Sequence, residues 1–294
     1  MSQTVSAVRR LALGTVQLGL AYGINNESGK PDRSQAFAIL DCAKDLGIDL
    51  LDTATAYGDS EEVIGAYFRE RGESFMVVSK QLFATPEACR EGLQASVEKL
   101  GVTTLYGDLQ HDFSLIRKNP AVWPVFKELN QEGLTQRLGI SVYRPEDVEW
   151  MWAQGLDFHL IQCPYSIFDR RFESIFPELR RRNVEIHVRS VFLQGLFFRE
   201  AENLPTHFAS VSDQVRELHR ISTESGLGIA DLCLGFAVLN EDIGRVVIGV
   251  DSSENLIENV KSLSKLEQLR PWMPDLQKLR VADEAILLPM NWKL

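Results

Sequence analysis

The sequence predicts a (β/α)8 barrel, in which eight parallel strands close into a ring and helices cover its outside. Short apolar runs typical of buried strands alternate with longer segments of helical periodicity along almost the whole chain. These runs begin near residues 10, 48, 75, 105, 137, 159, 184 and 245. Each run except the first is followed closely by a predicted helix. Strands that alternate with helices form parallel βαβ units, and eight such units favour a closed barrel over the alternative, an open doubly wound sheet.

The composition is that of a globular protein with enough apolar material for one large core. The chain has 294 residues, of which 45% are hydrophobic and 24% are charged. Length alone would also allow two average domains. Because no low-complexity segment or linker marks a boundary, we interpret residues 1–294 as a single barrel domain. The tail, residues 267–294, is expected to add a helix and an irregular arm over the barrel mouth.

Charge and cysteine usage indicate which partners and which compartment to expect. The formal net charge of −10 argues against nucleic acid or an anionic membrane as the main partner. No apolar run approaches the roughly 20 residues of a membrane helix, and the N-terminus lacks the apolar segment of a signal peptide. The 4 cysteines lie far apart and without zinc-site spacing, which is typical of a reducing cytoplasm. We therefore expect a cytoplasmic protein without a metal site, either a monomer or a weak homo-oligomer.

The first 60 residues contain the first two predicted strands. A strand over residues 10–14 precedes a turn-rich loop, residues 16–31, whose glycines lack the GxGxxG spacing of a dinucleotide fingerprint. A helix over 34–46 then leads to a strand over 48–53. Ser60 is expected to cap the helix that follows, since its hydroxyl can accept a hydrogen bond from a free backbone N–H.

The same alternation continues to the end of the barrel. Further strands are predicted at residues 75–80, 105–111, 137–142, 159–163, 184–190 and 245–249. Helices are predicted at residues 86–100, 120–131, 145–154, 170–182, 209–224, 229–239 and 253–263. Proline begins several of these helices, which is compatible with a first helical turn because that turn has no partner for a backbone N–H.

Four polar residues fall at or just after three successive strand ends. Asp52 ends the second strand, Tyr57 lies in the loop beyond it, and Lys80 and His111 end the third and fourth strands. In a barrel these ends converge on one mouth, where active sites lie. A phenol donates a proton poorly near neutrality, but a neighbouring ammonium lowers a phenol's pKa and a carboxylate can hold that ammonium in place. An imidazole nearby can orient a carbonyl or relay a proton. The set predicts general acid–base catalysis of carbonyl reduction or alcohol oxidation, with a cofactor as the hydride carrier.

The string DTATAYGDSEEVIG, with Lys80 at the end of the next strand and His111 within DLQHD, resembles the aldo-keto reductase superfamily. The resemblance extends from about Leu11 to Asn259. It implies a (β/α)8 barrel that binds NADPH or NADH in an extended form at the carboxyl-terminal mouth, without a Rossmann fold. It also implies a catalytic tetrad of Asp52, Tyr57, Lys80 and His111, with Tyr57 as the proton donor.

The same resemblance implies a set of cofactor contacts. Ser141 and Gln162 match residues that hold the nicotinamide carboxamide, although Val142 stands where the family has asparagine. Arg189 replaces an aromatic residue that stacks on the nicotinamide, and it can stack on the ring or reach a phosphate. The implied cofactor-binding residues are Gly14, Thr15, Asp52, Ser141, Gln162, Arg189, Ser190, Gln194, Gly195, Gly249, Ser252, Ser253, Asn255, Glu258 and Asn259.

The choice of cofactor depends on Asp251. Many members of the family have a basic residue at this position, and the family as a whole favours NADPH. An anionic Asp251 would repel a 2′-phosphate and could accept a hydrogen bond from a free ribose hydroxyl. NADPH is therefore the expected cofactor, and NADH is possible because of Asp251.

The expected substrate is a small carbonyl compound: an aldehyde, a ketone or a sugar. Aromatic residues are expected to roof its pocket, namely Tyr22, Phe83, Phe113, Tyr143, Phe192 and Trp292. Two other functions remain open. One is a cofactor-binding regulatory subunit of the same fold, like channel β subunits, in which catalysis is secondary. The other is a metal-dependent hydrolase using Asp52 and His111, although the first strand lacks the His-x-His pair of such enzymes.

Overall fold

The computed structural model describes residues 3–23 and 29–292. Within them, parallel strands close into a barrel in which each strand pairs with the next along the chain and the last pairs with the first. The strands are β1 (Leu11–Gly14), β2 (Leu50–Asp52), β3 (Met76–Gln81), β4 (Gly107–Gln110), β5 (Leu138–Ser141), β6 (Leu160–Pro164), β7 (Glu185–Arg189) and β8 (Arg245–Gly249). The predicted (β/α)8 barrel is therefore confirmed, with strands mostly shorter than the apolar runs that predict them.

Helices pack around this barrel. The α-helices are α1 (Gln3–Val8), α2 (Val16–Gly19), α3 (Arg33–Asp45), α4 (Ser60–Arg71), α5 (Pro86–Leu100), α6 (Phe113–Lys118), α7 (Val122–Gln131), α8 (Pro145–Ala153), α9 (Phe176–Arg181), α10 (Ser212–Ser225), α11 (Ile229–Val238), α12 (Ser253–Ser262), α13 (Leu266–Leu269), α14 (Met273–Gln277) and α15 (Glu284–Leu287).

Alternation along the strands divides the core into two layers. A small inner cluster fills the barrel, and its buried members are Ala12, Leu50, Val78, Leu109, Leu160 and Val247. A much larger cluster lies between the strands and the helices. Because successive side chains of a strand point to opposite faces, Lys80 lies on the same inward face of β3 as Val78. The register therefore directs Lys80 toward the interior just below the carboxyl-terminal mouth.

Several predicted helix boundaries are wrong, and local chemistry explains why. The predicted helix 170–182 is divided into a 3-10 turn, Arg171–Ser174, and α9. Pro177 lies in the first turn of α9, and its ring and missing N–H prevent an α-helix from continuing through it from the preceding segment. The predicted helix 209–224 likewise begins as a 3-10 turn, Thr206–Val211, before α10.

Further differences concern a helix cap, the first loop and two helices. Ser60 does not cap α4: it is the first residue of that helix, and its hydroxyl donates instead to the backbone oxygen of Thr15. The loop predicted over 16–31 begins with the helical turn α2, and residues 24–28 of that loop lie outside the described residues. Helices α1 and α6 were not predicted.

The tail packs beside the carboxyl-terminal end of the barrel. Glu284 of α15 accepts hydrogen bonds from Arg144 and Arg171, which follow β5 and β6. Trp292 packs edge-on against Phe208, with ring centroids 4.9 Å apart. The tail forms several short helices and turns, so the prediction of one helix and an irregular arm is corrected; residues 293–294 lie outside the described part.

In the described part of the chain no single helix is long and apolar enough to cross a membrane, and only the sharply bent pair Thr206–Ser225 and Ile229–Val238 meets that test when its two members are combined.

Candidate active site

A buried ion pair lies inside the carboxyl-terminal end of the barrel. Asp52 is the last residue of β2, and its Oδ1 lies 2.6 Å from Nζ of Lys80 in β3. The two side chains are 4% and 1% exposed, so neither charge is solvated by bulk water. The ammonium also donates to the backbone oxygen of Thr53 at 2.8 Å. Burial of a charged pair without such partners would be strongly unfavourable, and here the sequence supplies them from adjacent strands.

The hydroxyl of Tyr57 is the third partner of the ammonium. Nζ of Lys80 lies 3.3 Å from the phenolic oxygen and 4.8 Å from the centroid of the ring. Tyr57 lies in the tight loop between β2 and α4, where its backbone N–H donates to Ala54. Helix α2 packs directly against this loop at Gly19, where an added Cβ would overlap the backbone oxygen of Tyr57. Glycine at position 19 therefore fixes how closely the first loop approaches the phenol.

The buried ammonium remains charged. Burial by itself lowers the pKa of Lys80, but the charge of Asp52 and the hydrogen bonds to Asp52 and Tyr57 outweigh it, so the pKa lies above its ordinary value. The arrangement places a permanent positive charge beside a phenol.

His111 completes the group from the residue after β4. Its ring meets that of Tyr57 edge-on, with centroids 5.8 Å apart and planes at 83°. Burial, followed by the charge of Lys80, lowers the pKa of His111 from 6.5 to about 4. The imidazole is therefore neutral near pH 7 and can offer one N–H donor and one acceptor. The structure thus brings the four predicted catalytic residues together.

An open cavity of about 580 Å³ begins at these residues. Asp52, Tyr57 and His111 line it, whereas Lys80 lies beneath its surface. Of the predicted cofactor-binding residues, those lining the cavity are Gly14, Thr15, Asp52, Arg189, Ser190, Gln194, Gly195, Gly249, Asn255, Glu258 and Asn259. Ser141, Gln162, Ser252 and Ser253 are not among its lining residues.

Two buried polar side chains, Ser141 and Gln162, lie side by side on β5 and β6. Nε2 of Gln162 donates to Oδ2 of Asp52 at 2.6 Å, a contact that the sequence did not predict. Its Oε1 is buried and has no hydrogen-bond partner among the described residues. A buried acceptor without a donor is costly, and a primary carboxamide is a donor of the required kind. The chemistry of Gln162 therefore fits a nicotinamide amide, while its side chain lies behind the cavity surface.

The loop after β7 has an unusual backbone. Ser190, Leu193 and Gln194 have φ of 66°, 44° and 51°, followed by Gly195 at 94°. Two N–H groups of this loop are engaged within it, because Leu193 donates to the backbone oxygen of Ser190 and Gly195 donates to that of Phe192. Nε2 of Gln194 donates to the hydroxyl of Tyr22 at 3.1 Å, which links this loop to the loop after β1.

The guanidinium of Arg189 lies over the ring of Tyr143, with its carbon 4.2 Å from the ring centroid. It also donates to the backbone oxygen of Val142 at 3.4 Å. Both contacts hold the cation at the cavity wall at the end of β7, near the predicted catalytic residues.

The outer part of the cavity is formed by the segment after β8 and by α12. Ser252 is the N-cap of α12, and its hydroxyl accepts from the N–H of Asn255. Its hydroxyl is therefore used in the helix cap, and Ser252 does not line the cavity. Ser253, the first residue of α12, does not line the cavity either. Asp251 lines the cavity, and burial raises its pKa.

Sequence reasoning missed part of the lining. Gln17 of α2 is buried and lies so close to β8 that a Cβ added to Gly249 would come within 2.6 Å of Nε2 of Gln17. Its place in the sequence could have identified it, because Gln17 lies just after the end of β1 in the same way that Tyr57 lies just after the end of β2. The other unpredicted lining residues are Val16, Gly23, Val191, Phe198, Ala230, Val247, Ile248 and Val250.

The predicted aromatic roof is only half correct. Tyr22, Tyr143 and Phe192 line the cavity. The other three pack elsewhere: Phe83 against Phe126, Phe113 against Trp150 and Trp292 against Phe208. An aromatic residue gains similar free energy from burial in a helix–sheet layer as in a pocket wall, so residue type alone could not separate the two sets.

Among residues 3–23 and 29–292, no group of three or more His, Cys, Asp or Glu side chains is arranged to hold a metal ion.

Comparisons with known proteins agree on one protein family. The model of the aldo/keto reductase family matches residues 10–271. An uncharacterized oxidoreductase of Bacillus subtilis is 24% identical over 87% of this chain and 91% of its own. A putative voltage-gated potassium channel subunit beta of Schizosaccharomyces pombe is 26% identical over 78% of this chain and 79% of its own.

The fold is also that of solved relatives. An aldo-keto reductase from Bacillus halodurans in its holo form superposes with a TM-score of 0.73 at 23% identity, over 96% of this chain and 95% of its own. The family match covers most of the barrel, including every strand and the four-residue group at the mouth. On this evidence the chain belongs to the aldo/keto reductase family.

Proposed function

We propose that this protein is an NAD(P)H-dependent oxidoreductase that reduces a small aldehyde, ketone or sugar carbonyl to the alcohol, with Tyr57 as the general acid. The observation that carries the proposal is the position of the Lys80 ammonium, 2.6 Å from Asp52 and 3.3 Å from the hydroxyl of Tyr57. A cation held this way stabilises the phenolate that remains after a proton has left. The family supports oxidoreduction in general, and the roles of these residues are our inference.

Each side chain has one task in this mechanism. Tyr57 donates its hydroxyl proton to the carbonyl oxygen as negative charge develops there. Lys80 stabilises the resulting phenolate, and Asp52 holds Lys80 in place and keeps it charged. His111, neutral at pH 7, donates an N–H hydrogen bond that orients the carbonyl oxygen toward Tyr57. A reduced nicotinamide, when bound, supplies the hydride that none of these side chains can supply.

Three features would hold that cofactor. The buried Oε1 of Gln162 would accept from the carboxamide, and the loop around Gln194 and Gly195, which lines the cavity, would wrap the pyrophosphate. Arg189 would stack on the nicotinamide or reach a phosphate from the cavity wall. Membership of the family by itself favours NADPH. We further propose a small-molecule carbonyl substrate, no nucleic-acid or membrane partner, a monomer or weak homo-oligomer as the active form, and the cytoplasm as the compartment.

The test uses the purified protein with NADPH and NADH and a panel of aldehydes, ketones and sugars. Loss of the near-ultraviolet absorbance of the reduced cofactor in the presence of a carbonyl would support the proposal. The Tyr57→Phe variant should lose this activity and keep cofactor binding. Tyr106→Phe is the matched control, because it also removes one phenolic hydroxyl, which bonds to Glu185 near the opposite end of the barrel. Activity that survives in Tyr57→Phe would refute the assignment of the acid.

A regulatory role is the second candidate, and the likeness to a protein named as a putative channel subunit beta supports it. In that case the protein would bind the cofactor and regulate a partner protein, and its catalysis would be secondary. Tight cofactor binding without Tyr57-dependent reduction of any carbonyl in the panel would favour this candidate.

A further inference from the structure

The shape of the cavity separates a catalytic end from an outer end. The catalytic end lies inside the barrel at Tyr57 and His111. From there the cavity passes over the end of β8 and reaches helices α11 and α12, which contribute Ala230 and Asn255 to its lining. If the nicotinamide binds beside Tyr57, as the proposed function requires, the adenosine half of the cofactor occupies this outer end.

The outer end is acidic. Asp251 and Glu258 line it, and among the described lining residues the only lysine or arginine is Arg189. Arg189 is held over the ring of Tyr143, at the end of β7. A 2′-phosphate carries close to two negative charges and is normally bound by arginine or lysine. In the described residues, no such cation lines the cavity beside Asp251.

The N-terminus of α12 does not replace that missing cation. Its dipole would favour an anion, but the hydroxyl of Ser252 already accepts from the N–H of Asn255. Glu254 adds a further negative charge in the first turn of the helix. Both features favour a neutral polar ligand over a phosphate at this end of the cavity.

Asp251 itself requires a hydrogen-bond donor. Its Oδ1 is buried and has no hydrogen-bond partner among residues 3–23 and 29–292. A carboxylate oxygen in that state is destabilised until a donor reaches it. A ribose with a free 2′-hydroxyl can donate to it, whereas a 2′-phosphate offers acceptor oxygens and like charge.

We infer that Asp251 makes this site select a free ribose 2′-hydroxyl over a 2′-phosphate, so that the protein takes NADH in preference to NADPH. The inference rests on the proposed function and replaces the family-based expectation of NADPH. It assigns Asp251 as a specificity-determining residue of the outer cavity.

The experiment is an equilibrium titration of the purified protein with NADH and with NADPH, followed by quenching of its 5 tryptophans. NADH should bind at least about tenfold more tightly, which corresponds to about 1.4 kcal/mol. Asp251→Asn, which keeps the shape and removes the charge, should reduce this preference about fivefold or more. Asp251→Arg should reverse it. Glu267→Gln removes the same charge from an exposed residue of α13 that does not line the cavity, and it should keep the wild-type preference.

The possible outcomes distinguish a failure of this inference from a failure of the proposed function on which it rests. Equal or tighter binding of NADPH by the wild type, or an unchanged preference in Asp251→Asn, would overturn the role of Asp251. Tyr57-dependent turnover with either cofactor would then still support the proposed reductase. Failure of the wild type to bind either cofactor would overturn both.

Discussion

Gln162 holds Asp52 from the opposite side of the barrel. Its Nε2 donates to Oδ2 of Asp52 at 2.6 Å, while Oδ1 of the same carboxylate binds Lys80. Strands β2 and β6 are four places apart in a closed ring of eight, so the contact crosses the interior. Each oxygen of the carboxylate therefore has one partner, and the direction of the carboxylate is fixed from two walls. We infer that Gln162 positions the ion pair in addition to its proposed contact with the cofactor.

The first prediction concerns Gln162→Met, which keeps the length of the side chain and removes its polar atoms. It leaves one oxygen of Asp52 buried without a donor, so we expect the free energy of unfolding to fall by about 1–3 kcal/mol. Asp52 is then held from one side only, and Lys80, which is positioned by Asp52, loses its fixed place. For that reason kcat/KM should fall about 10- to 100-fold. Urea denaturation and steady-state kinetics provide the two measurements.

Gln110→Met is the matched control for Gln162→Met. Gln110 is also fully buried, and its Nε2 donates to the backbone oxygen of Phe83, away from the catalytic cavity. This variant should lose stability but keep kcat/KM. Equal losses of activity in the two variants would show that Gln162 has no positioning role beyond its part in the core.

The second prediction separates the structural and catalytic roles of Lys80. Lys80→Met leaves the carboxylate of Asp52 buried without its cation, which should cost about 3–5 kcal/mol of unfolding free energy. The double variant Asp52→Asn/Lys80→Met removes both charges and should recover most of that loss. Reductase activity should be abolished in both, since neither retains a cation beside Tyr57. A double variant as unstable as the single one, measured by urea denaturation, would contradict the view that the unpaired charge is the cause.

The catalytic group could be predicted because each of its members is tied to a local pattern. Asp52 and Tyr57 lie within one continuous string, and the apolar runs place Lys80 and His111 near the ends of neighbouring strands. Parallel strands align those ends regardless of loop details. The contact between Gln162 and Asp52 has no such local pattern, because it depends on register between strands on opposite sides of the ring.

Helix ends were harder to predict because neighbouring residues compete for the same role. The segment PDRSQ offers both Asp32 and Ser34 as caps of α3. In the structure Asp32 accepts from the N–H of Gln35, and the side chain of Gln35 accepts from the N–H of Asp32. This reciprocal capping box adds a second hydrogen bond and decides the competition. A pattern of apolar spacing does not contain that information.

The third prediction is that the titration of His111 causes no inflection in the pH profile of the reaction above pH 5. Its pKa of about 4 means that the imidazole is neutral throughout that range. The profile of kcat/KM for carbonyl reduction should therefore show no inflection near 6.5 from this residue. His111→Gln keeps a donor and should reduce kcat without changing the shape of the profile. An inflection near 6.5 in the wild type that disappears in His111→Gln would contradict the neutral imidazole.

The fourth prediction concerns Asp108, a fully buried residue of β4 outside the catalytic group. Burial raises the pKa of Asp108 well above its ordinary value. Above pH 3.8 the unfolded chain therefore loses this proton more readily than the folded chain, and the contribution of Asp108 to stability falls as the pH rises. Asp108→Asn is neutral in both states, so it should be more stable than the wild type at pH 8, and the difference should shrink as the pH falls toward 4. Urea denaturation at the two pH values measures this, with the exposed Asp213→Asn as a control expected to stay within about 0.5 kcal/mol. A gain for Asp108→Asn that does not depend on pH would mean that packing, and not the buried carboxyl's proton, is responsible.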